Sequence, residues 1–301
     1  MSSLPENGVL VLTRSRAVDF YSLTKPELTF LSVLTALAGA YLATNDLTSG
    51  TFLLAHVMVG TMLVGGGAGA LNQFIERRFD SMMKRTENRP IPSGRISSLE
   101  ALLFGMLLSA SGVCYLFATT NLLTTALGLV TLLSYLFLYT PLKRLTWLST
   151  IVGGIPGALP PVMGWTAVKG DVSLEALVLF GILFFWQMPH FFSLAWMYRK
   201  DYDRAGFPML PVLDADGKRT SVQIVGHTVC LLAASLLLTQ VSGLGPLYLV
   251  GSSIIGCGFL ACGVVLAARR DTASARRVFF ASLVYLPLLL AIVVVDRLVG
   301  S

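Results

Sequence analysis

Long apolar runs alternate with short polar connections along the chain, and nine such runs can be marked out: 28–44, 51–75, 99–119, 122–140, 147–168, 174–198, 221–241, 244–268 and 278–295. At 1.5 Å per residue, each is long enough, or nearly so, to cross a hydrocarbon core of about 30 Å as a helix. The pattern predicts an all-α membrane protein with nine transmembrane helices. The first two dozen residues break it, mixing Glu6, Arg14, Arg16 and Asp19 without an apolar stretch. They fit neither a cleaved signal nor an acid-free organelle presequence. Residues 1–24 are therefore expected to form a cytoplasmic N-terminal tail and residues 25–298 one transmembrane domain, in a bacterial inner membrane.

The connections separate by charge. Of the 22 Lys and Arg, all but Lys169 and Arg297 fall in the N-terminal segment or after the second, fourth, sixth and eighth runs. The positive-inside rule assigns the N-terminus and those connections to the cytoplasm and the C-terminus to the opposite side. A composition of 54% hydrophobic and 13% charged residues, with a mean hydropathy of +0.74, excludes an ordinary soluble domain. The net charge of +6 is thereby explained by topology, and no nucleic-acid partner is needed. Cys114, Cys230, Cys257 and Cys262 lie inside the runs without metal-ligand spacing and are expected to be small buried packing residues.

Chemistry concentrates where the second run ends, in Leu71-Asn72-Gln73-Phe74-Ile75-Glu76-Arg77-Arg78-Phe79-Asp80, followed by Lys84, Arg85, Arg89 and Arg95. Asn72, Glu76 and Asp80 recur every fourth residue, so on a helix they form one stripe of oxygen ligands, each roughly 6 Å beyond the last. Oxygen ligands beside a knot of cations suit a magnesium-bridged phosphate, the hard ion taking carboxylate and amide oxygens and the basic side chains the remaining anionic charge. The plainer alternative is pairing of Glu76 or Asp80 with Arg77 or Lys84 in water. A second charged cluster, Tyr198-Arg199-Lys200-Asp201-Tyr202-Asp203-Arg204, follows the sixth run. Asp201 and Asp203 are two apart and point to different sides of a helix; Asp201 is the one expected to complete the metal site. Both connections end in proline turns, Asn88-Arg89-Pro90-Ile91-Pro92-Ser93-Gly94 and Gly206-Phe207-Pro208-Met209-Leu210-Pro211, and four runs separate them, a hint of a duplicated half. The glycines at 65–67 and the Gly/Pro segment 153–161 are expected to allow close helix packing, the latter with a kink.

A magnesium-held anion at a membrane surface, without a hydrolytic nucleophile, suggests an isoprenyl diphosphate whose chain lies among the helices. Cations would stabilise the departing diphosphate, and the resulting allylic cation needs shielding from water. Phe74, Tyr139, Trp186, Phe191, Phe192 and Trp196 offer aromatic faces for that purpose, although aromatics also anchor membrane interfaces.

Nearly the whole chain resembles the UbiA superfamily of intramembrane prenyltransferases. The shared features run from Thr24-Lys25-Pro26 through Asn72-x3-Glu76-x3-Asp80, Asn88-Arg89-Pro90, Tyr139-Thr140-Pro141-Leu142-Lys143-Arg144 and the segment 153–161 to Gln187-Met188-Pro189-His190-Phe191, Trp196, Asp201-Tyr202, Gly206 and Pro208-Met209-Leu210-Pro211. Pro189-His190-Phe191 with Asp201-Tyr202 points to the branch that modifies haem. The resemblance implies nine helices in one bundle around a central cavity capped by the two motif-bearing loops. It implies transfer of farnesyl from farnesyl diphosphate to a vinyl group of haem B, followed by water addition to give haem O, in a lipid bilayer. Contact with other haem-pathway or terminal-oxidase assembly proteins is compatible with it. The roles it carries over are Mg²⁺ and diphosphate binding by the catalytic set Asn72, Glu76, Asp80 and Asp201, with Lys84, Arg85, Arg89, Lys143, Arg199 and Lys200 as diphosphate partners. His190, an ionisable residue inside a membrane run, is the candidate for haem, against the alternative of a buried packing histidine.

Two positions depart from the family pattern. Met197 stands four residues before Asp201, where an acid is usual, so the second metal site is thinner. Glu27 follows Lys-Pro where Arg is common, which leaves the phosphate role of that segment open. Three other readings remain at this point: a relative acting on an aromatic acid or quinone precursor, a polytopic transporter, and a non-catalytic assembly factor. Charges gathered at helix ends rather than near the midplane argue against the transporter, and the ligand stripe argues against the assembly factor.

Overall fold

The computed structural model describes residues 15–44 and 47–300; Glu6 and Arg14 of the expected tail lie outside them. Among the described residues there is no strand, and nine helices are long and apolar enough to cross a membrane. The chain is a multi-pass membrane protein. A short helix precedes the first span: α1 (Arg16–Leu23), capped by the Ser15 side chain, which accepts from the Val18 amide.

The spans begin with α2 (Pro26–Ala43), with proline at its first position where no amide bond is lost, and α3 (Leu47–Asp80). Next comes α4 (Ser98–Thr119), opened by a reciprocal capping box between Ser97 and Glu100. The fourth span starts as α5 (Leu122–Leu133), passes through a π-helical stretch, Ser134–Tyr139, and closes as α6 (Thr140–Leu142). The fifth and sixth spans are α7 (Ser149–Lys169) and α8 (Leu174–Met197). Two short helices, α9 (Arg199–Arg204) and α10 (Leu210–Leu213), follow, then α11 (Lys218–Ser242), α12 (Pro246–Arg269) and α13 (Thr272–Gly300).

Sequential neighbours pack in a ring, α2 on α3, α3 on α4, α11 on α12 and α12 on α13, with α7 and α8 as the most enclosed members. Pro156, Pro160 and Pro161 do not interrupt α7. The small residues permit backbone contact instead: a Cβ on Gly164 would fall 1.8 Å from the Ala36 carbonyl oxygen, and one on Gly39 would fall 2.0 Å from that of Pro161. The ring is fastened where α13 ends. Asp296 accepts from the amides of Gly245 and Tyr248 at the start of α12, while Arg297 donates to the carbonyls of Tyr41, Leu42 and Thr44 at the end of α2.

The cysteines are a correction. Cys114, Cys230 and Cys257 are exposed and Cys262 is intermediate. An outward face of a membrane helix meets lipid, so a small apolar thiol gains nothing by turning inward.

Candidate active site

Helix α3 has 34 residues, about 51 Å at 1.5 Å per residue, well beyond a core of about 30 Å. That is more than one crossing needs. Asn72, Glu76 and Asp80 ride on the C-terminal end of α3, yet they are only 1%, 6% and 1% exposed, because the connections after α3, α6 and α8 fold over them. Phe79 packs against Phe207 at 5.6 Å between ring centroids, the Arg144 guanidinium lies 4.4 Å from the Phe79 ring, and Arg85 reaches the Tyr202 hydroxyl at 3.5 Å and the Tyr198 ring.

Each member of the stripe meets a cation. Lys25 donates to Asn72 Oδ1; Lys143 Nζ donates to Glu76 Oε1 at 2.6 Å; Arg89 Nη1 donates to both Asp80 oxygens at 2.8 Å. The expected alternative partners, Arg77 and Lys84, are not used. Arg77 turns back to the Phe74 carbonyl and ring, and Lys84 is exposed. Asn72 also donates from Nδ2 to Thr140 Oγ1 at 2.9 Å, and Thr140 donates to the Tyr135 carbonyl five residues earlier. The Thr140 amide donates to the same carbonyl, the backbone bond that marks the π-helical stretch, whose extra residue per turn brings Tyr135, Tyr139 and Thr140 to the stripe together.

Lys25 is the site residue that spacing does not reveal. It sits at the N-cap of α2 in the left-handed region, φ 48°, a strained position for a residue with a Cβ. Its side chain lies between Asn72 and the Tyr135 hydroxyl. Gly69 admits this turn, since a Cβ there would stand 2.9 Å from the Thr24 carbonyl oxygen. Burial, reinforced by the nearby Arg89 and Lys143, lowers the Lys25 ammonium to about 7 against the pull of Glu76 and Asp80. Lys143 moves the other way: burial opposes its charge, but the Glu76 carboxylate outweighs that and raises it above the ordinary lysine value. Thr24-Lys25-Pro26 was visible as a shared motif; a Lys-Pro dipeptide says nothing of φ or of what the ammonium faces. Glu27, the departing residue beside it, is exposed.

The remaining expected residues are less closely gathered. Arg89 and Lys143 are on the stripe, and Arg85 is on the loops above it. Arg199 and Lys200 are exposed on α9. Asp201 forms an ion pair with Arg204 at 3.5 Å, and Asp203 is exposed. Among the described residues no three His, Cys, Asp or Glu side chains are grouped to hold a metal ion by themselves. The oxygen donors Asn72, Glu76 and Asp80 nonetheless fit Mg²⁺ by chemistry, because that ion takes one or two carboxylates and completes its shell with substrate phosphates and water. Of the aromatic candidates, Tyr139 stands beside Lys143 at 5.4 Å, whereas Phe74 packs toward α1, and Phe192 and Trp196 are buried in the main core. His190 belongs to the α8–α13 contact. Its ring stacks on Trp186 and Phe279 at 5.2 and 4.9 Å, and Nδ1 lies 2.8 Å from Ser282 Oγ.

The model of the UbiA prenyltransferase family matches residues 32–284. The chain belongs to that family. Relatives in the family extend the match to almost the full length. The chain is 46% identical over 287 residues to the protoheme IX farnesyltransferase of Solibacter usitatus, covering 93% of this chain and 98% of that one. Against the protein of the same name in Opitutus terrae it is 44% identical over 282 residues, covering 93% and 95%. The UbiA fold is shared with a solved digeranylgeranylglyceryl phosphate synthase at a TM-score of 0.77 and 16% identity, covering 93% and 98% of the two chains. It is also shared with a UbiA homologue from Archaeoglobus fulgidus bound to GPP and Mg²⁺, at a TM-score of 0.63 and 14% identity, covering 91% and 99%.

Proposed function

We propose that this protein transfers the farnesyl group of farnesyl diphosphate to a vinyl carbon of haem B, with water addition, to form haem O and diphosphate. The observation that carries the reading is the buried stripe Asn72, Glu76 and Asp80, each held by a cation at the C-terminal end of α3. The farnesyl and haem substrates follow from the full-length likeness to proteins of that name.

Asn72, Glu76 and Asp80, with Asp201 from the facing connection, would hold Mg²⁺. When bound, the ion supplies Lewis-acid neutralisation of the diphosphate charge, as the prenyl diphosphate and Mg²⁺ in the Archaeoglobus fulgidus homologue suggest. Lys143 and Arg89 turn from their carboxylates to the diphosphate oxygens, with Lys25 beneath them. Arg85, Lys84, Arg199 and Lys200 extend the positive rim. The allylic C–O bond breaks with its electron pair leaving on the diphosphate, and the vinyl π electrons form the new C–C bond. Tyr135 and Tyr139 line the cationic end of this path and help exclude water. Water then adds to the cation left on the haem side chain and loses a proton. His190 is assigned to the haem, its ring orientation fixed by Ser282, Trp186 and Phe279. The charge distribution supports an inner-membrane protein with the stripe on the cytoplasmic side.

The decisive assay combines purified protein, haem B, farnesyl diphosphate and Mg²⁺, followed by mass analysis of the haem. A haem gaining one farnesyl and one hydroxyl is expected. Unmodified haem beside intact farnesyl diphosphate would overturn the reading.

A further inference from the structure

Asp19 is a carboxylate outside the ligand stripe, 1% exposed on α1. Arg95 Nε donates to Asp19 Oδ1 at 2.9 Å, and Arg95 Nη2 donates to the Asn88 carbonyl at 3.0 Å. One guanidinium thus joins α1 to the backbone immediately before Arg89, the residue that grips both oxygens of Asp80. At the far end of α1, Gln73 Nε2 donates to the carbonyls of Ser22 and Leu23 at 3.0 and 3.2 Å, and two residues later Lys25 meets Asn72. Leu23 and Phe20 pack with Ile91 and Ile96, so the same helix is also seated against the loop by apolar contact. Helix α1 therefore reaches both ends of the stripe.

We propose that Asp19 is a positioning residue for prenyl diphosphate: through Arg95 it fixes the loop that presents Arg89 to Asp80 and to the incoming diphosphate. The inference rests on the prenyltransferase reading above. A carboxylate taken out of water persists as an ion only when paired and hydrogen-bonded, and here the pairing cation is the one that also grips the loop backbone. Arginine is required because its planar fork serves two acceptors in fixed directions, whereas a lysine ammonium is a single mobile point. The other ion pair made by α1, Arg16 with Glu100, is exposed at 65% and 39% and is too solvated to fix a loop.

The test uses the full chain with Asp19→Asn and Arg95→Lys, each also combined with Arg89→Gln. Steady-state kinetics are measured with farnesyl diphosphate varied at saturating haem B and Mg²⁺, then with haem B varied. The expected result is a KM for farnesyl diphosphate raised roughly tenfold, with kcat and the KM for haem B little changed, and no further rise once Arg89 is gone, as coupled residues behave. A clamp needed only for folding would reduce the amount of active protein without moving that KM. An unchanged KM, or an effect that adds in full to that of Arg89→Gln, overturns the proposal. If Asp19→Asn does not accumulate, Arg95→Lys decides alone, because it keeps the charge facing Asp19 and removes the reach to Asn88. Wild-type turnover tests the functional reading separately; should the wild type bind farnesyl diphosphate without transferring it, Kd replaces KM in the same comparison.

Discussion

Lys143 and Glu76 meet at 2.6 Å, one just past α6 and the other on the last turns of α3, with side chains 16% and 8% exposed. They are 67 residues apart in sequence. A pair so removed from water contributes little if it is replaced as a whole by apolar groups, but breaking it strands a charge. The pair thus ties the fold of the fourth span to the chemistry of the second.

Lys143→Met is accordingly expected to destabilise the protein by roughly 3–5 kcal/mol, read from thermal unfolding in detergent. The double variant Glu76→Gln with Lys143→Met should recover most of that loss while remaining inactive. Losses that simply add would show that the two side chains act independently.

Asp80→Asn and Asn72→Ala are expected to lower kcat by roughly 10²–10³-fold, the scale on which one preorganised electrostatic contact acts, with elution and unfolding of a folded membrane protein retained. Chelation with EDTA should stop wild-type turnover, and added Mg²⁺ should restore it. Turnover that survives both treatments would remove the metal assignment.

His190→Ala should raise the KM for haem B several-fold while leaving that for farnesyl diphosphate unchanged, since the ring contacts α13 and not the stripe. Ser282→Ala, which frees the ring to turn, should act in the same direction and more weakly. Equal effects on the two substrates would instead mark His190 as a packing residue.

Arg297→Gln removes the donors that cap three carbonyls at the end of α2. A charged group's hydrogen bonds typically contribute about 1.5–3 kcal/mol each when well formed, so the unfolding temperature should drop measurably. Neither KM should change, because this clasp lies at the opposite ends of the helices from the stripe. A shifted KM would mean that ring closure reaches the site.

How much of this could be read from the sequence varies from residue to residue. The nine spans were legible because a bilayer imposes length and hydropathy on each helix separately, with no need to know its neighbours. The stripe was legible for a similar reason, since Asn72, Glu76 and Asp80 lie on one helix and their fourfold spacing alone aligns them. Lys25, Tyr135 and Thr140 were not, because they reach the stripe from other elements, through a left-handed turn at φ 48° and a π-helical stretch that no local periodicity announces. The charged N-terminal segment looked like a tail, and only packing showed α1 seated on α3 and the loop before α4. His190 had sequence context as well, but its observed partner, Ser282, depends on how α13 packs on α8, whereas the Asp201 pair with Arg204 is an i,i+3 contact within α9. The sequence by itself determined the class of protein, its spans and one row of ligands, all of which follow from local periodicity and solvation. Which cation faces each oxygen was decided by tertiary structure, because Lys25 and Lys143 reach Asn72 and Glu76 by helix packing across 47 and 67 positions and Arg89 reaches Asp80 through the fold of the loop that follows α3.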